Sequence, residues 1–252
     1  MICEERNDCA NRIDQAMVLA AGLGTRMRPI TDTMPKPLVT VAGRSLLDHA
    51  LDALERSGVS HAAVNVHYLA DQIEAHLEGR AAPRISISDE REALLDSGGG
   101  VKRALAHLKQ GPLYILNSDS FWIDGATGNL DAMADRWAEG DMDMLLLLAR
   151  KADAVGFDGA GDFFMDEHGK LARRGSADHA PYVYAGAIVC KTQPFEAIKE
   201  ERFSLNRLFD DAIARGRLYG HLLDGLWLHV GTPGAISEAE ATISRFLAGR
   251  QT

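Results

Sequence analysis

Residues 19–38 read L-A-A-G-L-G-T-R-M-R-P-I-T-D-T-M-P-K-P-L, and several residue types in this stretch suit phosphate chemistry. Gly22 and Gly24 follow a short apolar run. Without a Cβ at these positions, main-chain N–H groups can come close to a polyphosphate and form an anion-binding concavity. Arg26 stands two residues beyond Gly24, and Lys36 is held between Pro35 and Pro37, whose rings stiffen its backbone. Two cations beside a loop of N–H donors would offset the charge of a triphosphate and of a leaving phosphate. A Walker loop is excluded because no Gly-Lys-Ser/Thr follows, and a dinucleotide fingerprint because Met27 stands where its third glycine belongs. The plain alternative is a loop with surface cations, and the joint spacing argues against it.

Other positions carry weaker signals. Asp119, in N-S-D at 117–119, ends an apolar run. It offers a hard oxygen donor for magnesium, although aspartate after a strand also starts turns and caps helices. Gly98, Gly99 and Gly100 open a helical stretch, or admit a flat base or ribose. Asn65 and His67 read equally as ligand contacts and as satisfied polar groups at a strand end. Histidines 49, 61, 76, 107, 168, 179 and 221 lack metal-ligand spacing and are expected on the solvated surface.

The elements that must position these residues follow from hydrophobic periodicity. Residues 16–21 read as a buried strand ending at the glycines. Residues 45–57 form an amphipathic helix stopped by Gly58. Strands follow at 62–66, 85–88 and 113–116, with helices over 70–77 and 100–108 between them. This alternation predicts an α/β fold, a Rossmann-like, doubly wound, mainly parallel sheet with ligands at the carboxyl ends of its strands. The second half departs from it: a helix over 131–140, a strand at 144–149, a glycine- and aspartate-rich loop at 156–162, and a short hairpin over 162–165 and 170–173. Strands at 181–189, 217–222 and 227–230, a helix over 206–215 and a last helix from 233 complete a small antiparallel portion. Residues 1–15 are expected as a loose polar arm, and residues 16–252 as one domain, with a nucleotide half to about 125 and a sugar half beyond it.

G-L-G-T-R, eight residues, then P-K-P resembles the signature of the sugar-1-phosphate nucleotidyltransferase family. S-G-G-G at 97–100, N-S-D at 117–119, Y-A-G at 184–186 and W-L-H-V-G-T at 227–232 follow in the same order. Within the family, V-N-V-H-Y-L-A-D-Q-I-E-A-H-L at 64–77, D-S-G-G-G at 96–100 and G-D-F at 161–163 are most similar to the N-acetylmuramate α-1-phosphate uridylyltransferase branch, which serves cell-wall recycling. The resemblance implies the nucleotide-diphospho-sugar transferase fold. It also implies that UTP and a sugar 1-phosphate combine to a UDP-sugar and pyrophosphate, with glucose 1-phosphate or mannose 1-phosphate and another triphosphate as alternative substrates. By the same resemblance Arg26 and Lys36 act catalytically, and Ala20, Ala21, Gly22, Gly24, Thr25, Arg26, Asn65, Gly98 and Gly99 hold the nucleotide. Asn117, Asp162, Tyr184 and Gly186 hold the sugar. Asp119 carries Mg2+, with Mn2+ a second possibility. His229 stands where the family usually has a second metal-binding aspartate. Imidazole suits softer metals than magnesium, so His229 is read as a ligand to such a metal, as a phosphate contact, or as neither; a catalytically weak binding relative remains an alternative.

Composition fits that expectation. Lys plus Arg number 27 against 36 Asp plus Glu, a formal charge of −9. With no basic block, this argues against nucleic acid as a partner. Three cysteines, Cys3, Cys9 and Cys190, suggest neither a disulfide framework nor a zinc cluster. No secretory signal and no span for a membrane is expected, and the cytoplasm is the expected compartment.

Overall fold

The computed structural model describes residues 13–138 and 140–249. Its strands are β1 (Gln15–Leu19), β2 (Thr40–Val41), β3 (Arg44–Ser45), β4 (His61–Val66), β5 (Arg84–Asp89), β6 (Pro112–Asn117), β7 (Ser120–Asp124), β8 (Met144–Arg150), β9 (Phe163–Met165), β10 (Leu171–Arg173), β11 (Tyr182–Lys191), β12 (Leu218–Leu222) and β13 (Gly225–His229). The helices are α1 (Leu46–Arg56), α2 (Ala70–Leu77), α3 (Asp96–Ala104), α4 (Asn129–Arg136), α5 (Gln193–Glu196), α6 (Leu205–Ala214) and α7 (Pro233–Gly249).

Nine strands make one sheet, ordered β10-β9-β11-β6-β1-β4-β5, with β8 on β11 and β12 on β8. The first half is parallel: β1 lies between β4 and β6, and β5 lies beyond β4. In the second half β11 runs antiparallel to β6, β8 and β9. The expected α/β architecture is therefore the observed one. Side chains alternate through the sheet with period two. Ala16 and Val18 join one core with Leu47, Leu51 and Leu54 of α1 and Ile73 of α2, while Met17 joins the other with Val101 of α3 and Leu208 of α6. Helices on both faces bury the sheet, as parallel pairing requires.

Register places the site. Val18 stands level with Val64 and Leu116, and Leu19 with Asn117, so β1, β4 and β6 end together. At β11 the edge facing β6 also takes β9, because β8 occupies the opposite edge at both ends of the strand. The β9–β10 hairpin thus continues along that edge beyond the carboxyl end of β6.

Some boundaries moved. Of the expected arm, residues 1–12 lie outside the described residues. Ile13 is buried and Gln15 begins β1, its side chain donating to the carbonyls of Lys109 and Pro112, so the body starts before residue 16. α3 starts at Asp96 rather than Gly100, and β7, α5 and the short β2–β3 pair were not legible. Nor are all the scattered histidines solvated. His61 is buried against the Ser86 hydroxyl, and His49 stacks on Phe121 with ring centroids 3.9 Å apart. Burial holds the pKa of His49, His61 and His221 below the ordinary histidine value.

Candidate active site

The glycine loop is shaped by what packs on it. Gly24 has φ +63°, and a Cβ there would come within 2.9 Å of Lys36 Cβ and 3.0 Å of Thr31 Cγ2. A side chain is thus disfavoured by both conformation and contact. Thr31 Oγ1 donates to the Gly24 carbonyl at 2.8 Å, and Met27 N to the same oxygen at 2.9 Å. Gly22 faces open space along the cleft. Arg26 and Thr25 are exposed on the single 3-10 turn Thr25–Met27. From α2 and the residues before it, the Tyr68 hydroxyl donates to Thr31 O at 2.8 Å and Gln72 Nε2 to Thr33 O at 3.0 Å, tying the loop to the body.

Lys36 opens another 3-10 turn, Lys36–Leu38, and is buried. Its Nζ lies 3.1 Å from Asp119 Oδ2. That contact joins the glycine-loop segment to the end of β6 across a cleft of about 250 Å³, whose walls include Gly22, Lys36, Asn65, Glu90, Ser97 and Asn117.

Asn65 forms the opposite wall. Its Oδ1 accepts from Ala20 N at 2.7 Å, and its Nδ2 donates to Glu90 Oε1 at 2.6 Å; Glu90 Oε2 accepts from Leu95 N at 3.1 Å. Both side chains are buried, so each hydrogen bond matters more than it would in water. His67 instead meets the Glu90 carbonyl through Nδ1 at 2.7 Å. Ala20 is buried by the bond to Asn65, while Ala21 lines the cleft. Gly100 makes room for this pair, since a Cβ there would approach Asn65 Nδ2 at 2.7 Å and Glu90 Oε1 at 2.8 Å.

Gly98 and Gly99 do something else. Their N–H groups donate to Phe203 O at 2.9 and 3.0 Å. A Cβ on Gly98 would strike the Phe203 ring, and one on Gly99 the Glu201 carbonyl. These glycines let residues 201–203 dock on α3; neither lines the cleft, which takes Asp96 and Ser97 from this turn. The N–H donors of the two glycines, expected at the nucleotide, are used within the protein.

The expected sugar residues gather beyond Asp119. Gly186 has φ +92°, and a Cβ on it would lie 2.5 Å from Ser120 Oγ and 3.4 Å from Asn117 Cβ. It sits in an irregular stretch of β11, where the register shifts between Tyr184 and Ile188. The Tyr184 hydroxyl is buried without a hydrogen-bond partner. Burial first, and then the Asp119 charge, holds its pKa well above that of a free phenol, so it remains a proton donor. Asp162 is tied to the scaffold, its Oδ2 accepting from Tyr184 N at 2.9 Å. That bond makes it a support for Tyr184.

Among the described residues no cluster of three or more His, Cys, Asp or Glu could hold a metal. Asp119 supplies one carboxylate. β13 pairs with β7 so that His229 stands opposite Ser120, and Asp119 O accepts from Val230 N at 3.0 Å. His229 Nδ1 meets Gly156 O at 3.1 Å; since a carbonyl only accepts, that nitrogen carries a proton and Nε2 is the one open to a ligand. One carboxylate suits a magnesium ion that arrives on phosphates and keeps its waters; it does not make a protein cage. Glu90, Thr31 and Phe203 were missed by sequence reasoning, and Ser97 stood out only as part of the S-G-G-G motif. Of the three, only Glu90, an acid just after a strand, carried any local signal.

The chain matches the nucleotidyl transferase family over residues 15–245. It is 47% identical over 233 residues to N-acetylmuramate alpha-1-phosphate uridylyltransferase of Caulobacter vibrioides, covering 91% of this chain and 96% of that one. The same-named protein of Neisseria meningitidis is 30% identical over 90% of this chain and 97% of its own. In fold it is similar to a putative glucose-1-phosphate thymidylyltransferase from Bacillus anthracis, with TM-score 0.76, 15% identity and coverage of 90% of this chain and 94% of that one. HddC from Yersinia pseudotuberculosis complexed with GMP-PN gives TM-score 0.74 and 19% identity over 92% of this chain and 100% of its own. With the cleft at the strand ends, the Lys36–Asp119 bridge and the glycine loop in place, the chain belongs to the nucleotidyl transferase family, and it is an enzyme of nucleotidyl transfer.

Proposed function

We propose that this enzyme joins UTP to N-acetylmuramic acid α-1-phosphate, forming the UDP-sugar and pyrophosphate. The relatives at 47% and 30% identity over nine-tenths of the chain support that choice of substrates. The observation that carries the site is the 3.1 Å approach of Lys36 Nζ to Asp119 Oδ2, a cation and an anion of opposite duty held at the junction of the loop and the β6 end.

In this reading a sugar-phosphate oxygen attacks the α-phosphorus in line. An O–P bond forms as the bridge to the β-phosphate breaks, and its electron pair leaves with pyrophosphate. Two anions must meet, so positioning and charge neutralisation supply most of the rate. Lys36 shifts from Asp119 toward the α-phosphate and the attacking phosphate, its stem fixed by Pro35 and Pro37. Arg26, exposed at the loop tip, clamps the β- and γ-phosphates as they become the leaving group. The N–H groups around Gly22 and Gly24 would add donors to the same anion. Asp119 would hold Mg2+ together with phosphate oxygens, and the ion when bound neutralises charge on them. Asn65 keeps the loop entry and Glu90 in register beneath the nucleotide, and Tyr184 donates its unpartnered hydroxyl on the sugar side.

Pyrophosphate release across a panel of four nucleoside triphosphates and the 1-phosphates of N-acetylmuramic acid, N-acetylglucosamine, glucose and mannose tests the reading. The expected outcome is the highest kcat/KM for UTP with N-acetylmuramic acid α-1-phosphate. A tenfold advantage for any other pair would overturn the substrate assignment.

A further inference from the structure

N-acetylmuramic acid differs from N-acetylglucosamine by an ether-linked lactic acid, so its 1-phosphate brings a carboxylate as well as a phosphate. Selecting it over the neutral sugar calls for a fixed cation outside the phosphate-binding set. Such a cation has a role only if the substrate is the one proposed above.

We propose that Arg173 is the specificity residue that binds this acidic substituent. Arg173 ends β10, in the hairpin that continues along the edge of β11 past the carboxyl end of β6. Its guanidinium is set in place on three sides. Nε donates to Asp210 Oδ1 at 2.8 Å, and Nη2 to Asn206 Oδ1 at 2.9 Å and Asn206 O at 3.3 Å. Its carbon lies 5.0 Å from the Phe163 ring centroid and 5.5 Å from that of Phe209. These contacts leave Nη1 as the donor for a ligand.

Two links connect the guanidinium to the cleft. Asn206 follows Leu205, whose N–H donates to Ser97 Oγ of the cleft wall at 3.0 Å. The Phe209 ring under the guanidinium also meets Tyr184 edge-on, with centroids 5.8 Å apart, and the Tyr184 hydroxyl is the buried, unpartnered donor on the sugar side. Through Phe209 and Tyr184 the Arg173 guanidinium is thus packed against β11, the strand that pairs with β6.

Neighbouring cations fit less well. Arg174 bonds the carbonyls of Gly161 and Ala177, and Lys151 the His179 ring, contacts that reach no residue of the cleft wall, whereas Arg173, though ion-paired with Asp210, bonds Asn206 beside Leu205. Arg150 is exposed on β8, which lies on the edge of β11 away from β6.

The test compares kcat/KM for N-acetylmuramic acid α-1-phosphate with that for N-acetylglucosamine 1-phosphate at saturating UTP. Arg173→Met keeps an apolar stem over Phe163 and Phe209 while removing the charge. The ratio is expected to fall about ten- to a hundredfold, the range of a charged hydrogen bond, and to fall through KM. Arg173→Lys restores part of it, and Arg150→Met leaves it at the wild-type value. An unchanged ratio in Arg173→Met, including equal losses on both sugars as a structural role would give, overturns the proposal. Should Arg173→Met fail to fold, the ratio in Arg173→Lys decides: a value equal to wild type overturns it. A wild-type enzyme indifferent to the acidic sugar would show instead that the substrate reading itself is wrong, and this proposal with it.

Discussion

At the residue scale the site depends on Lys36, a buried amine whose ion-pair partner is the expected metal ligand. Removing it deprives the transition state of a fixed charge in a partly dry cleft, where such a charge acts most strongly. Lys36→Met should lower kcat by about a hundred- to a thousandfold, read as pyrophosphate release, while circular dichroism and thermal unfolding show a folded protein. A variant turning over at the parental rate would remove Lys36 from the mechanism. Gly24 illustrates how a residue without chemistry protects one with it: its left-handed backbone and missing Cβ are what let Lys36 and Thr31 pack against the loop.

At the scale of elements, the contact of α3 with residues 201–203 ties the first half of the chain to the second. A methyl group on Gly99 would overlap the Glu201 carbonyl, and backbone has little freedom to yield. Gly99→Ala should destabilise by about 1–3 kcal/mol, the usual cost of overpacking, as a lower urea midpoint at unchanged slope; wild-type stability would refute the docking role. A second tie joins the start of β8 to the end of α6 and the approach to β12. Burial tends to raise the Asp143 pKa, but hydrogen bonds and charge from Arg217 and Arg215 outweigh it and leave the carboxyl below its ordinary value. A carboxyl depressed in the fold stabilises above its unfolded pKa and loses that contribution as pH falls through the folded value. Asp143→Asn should therefore lower Tm at pH 7, and the gap from wild type should close as pH drops below about 4. A gap independent of pH would mean the amide disturbs packing instead.

At the scale of the whole molecule, a formal charge of −9 surrounds a site meant for two anions. Attraction must then be local, from Lys36, Arg26 and oriented N–H groups. Magnesium-bound UTP at about a hundred times its Kd should stabilise the fold by about 2.7 kcal/mol, visible as a rise in Tm. Lys36→Met should lose most of that rise, and equal shifts in both proteins would argue that the nucleotide sits elsewhere. No helix among the described residues is long and apolar enough to cross a membrane, in line with the absence of long apolar runs.

Much of this was legible in the chain itself. Mainly apolar runs of four to six residues ending in glycine or polar residues marked β1, β4 and β6, because burying both faces of a parallel strand demands nearly continuous apolar side chains. Periodicity located α1 and α2 for the same reason of burial. The spacing from Gly22 to Lys36 indicated a phosphate site, since conformational freedom and fixed charge are properties of residue type. What lay beyond the sequence were matters of partner. Whether Gly98 and Gly99 meet a nucleotide or Phe203, whether Asp162 touches a sugar or holds Tyr184, and whether β7 pairs at all depend on segments about twenty to a hundred residues away in the chain. Local pattern carries no record of such neighbours. Only when the sheet brings the ends of β1, β4, β6 and β11 together do Lys36 and Asp119, 83 residues apart, come within hydrogen-bonding reach.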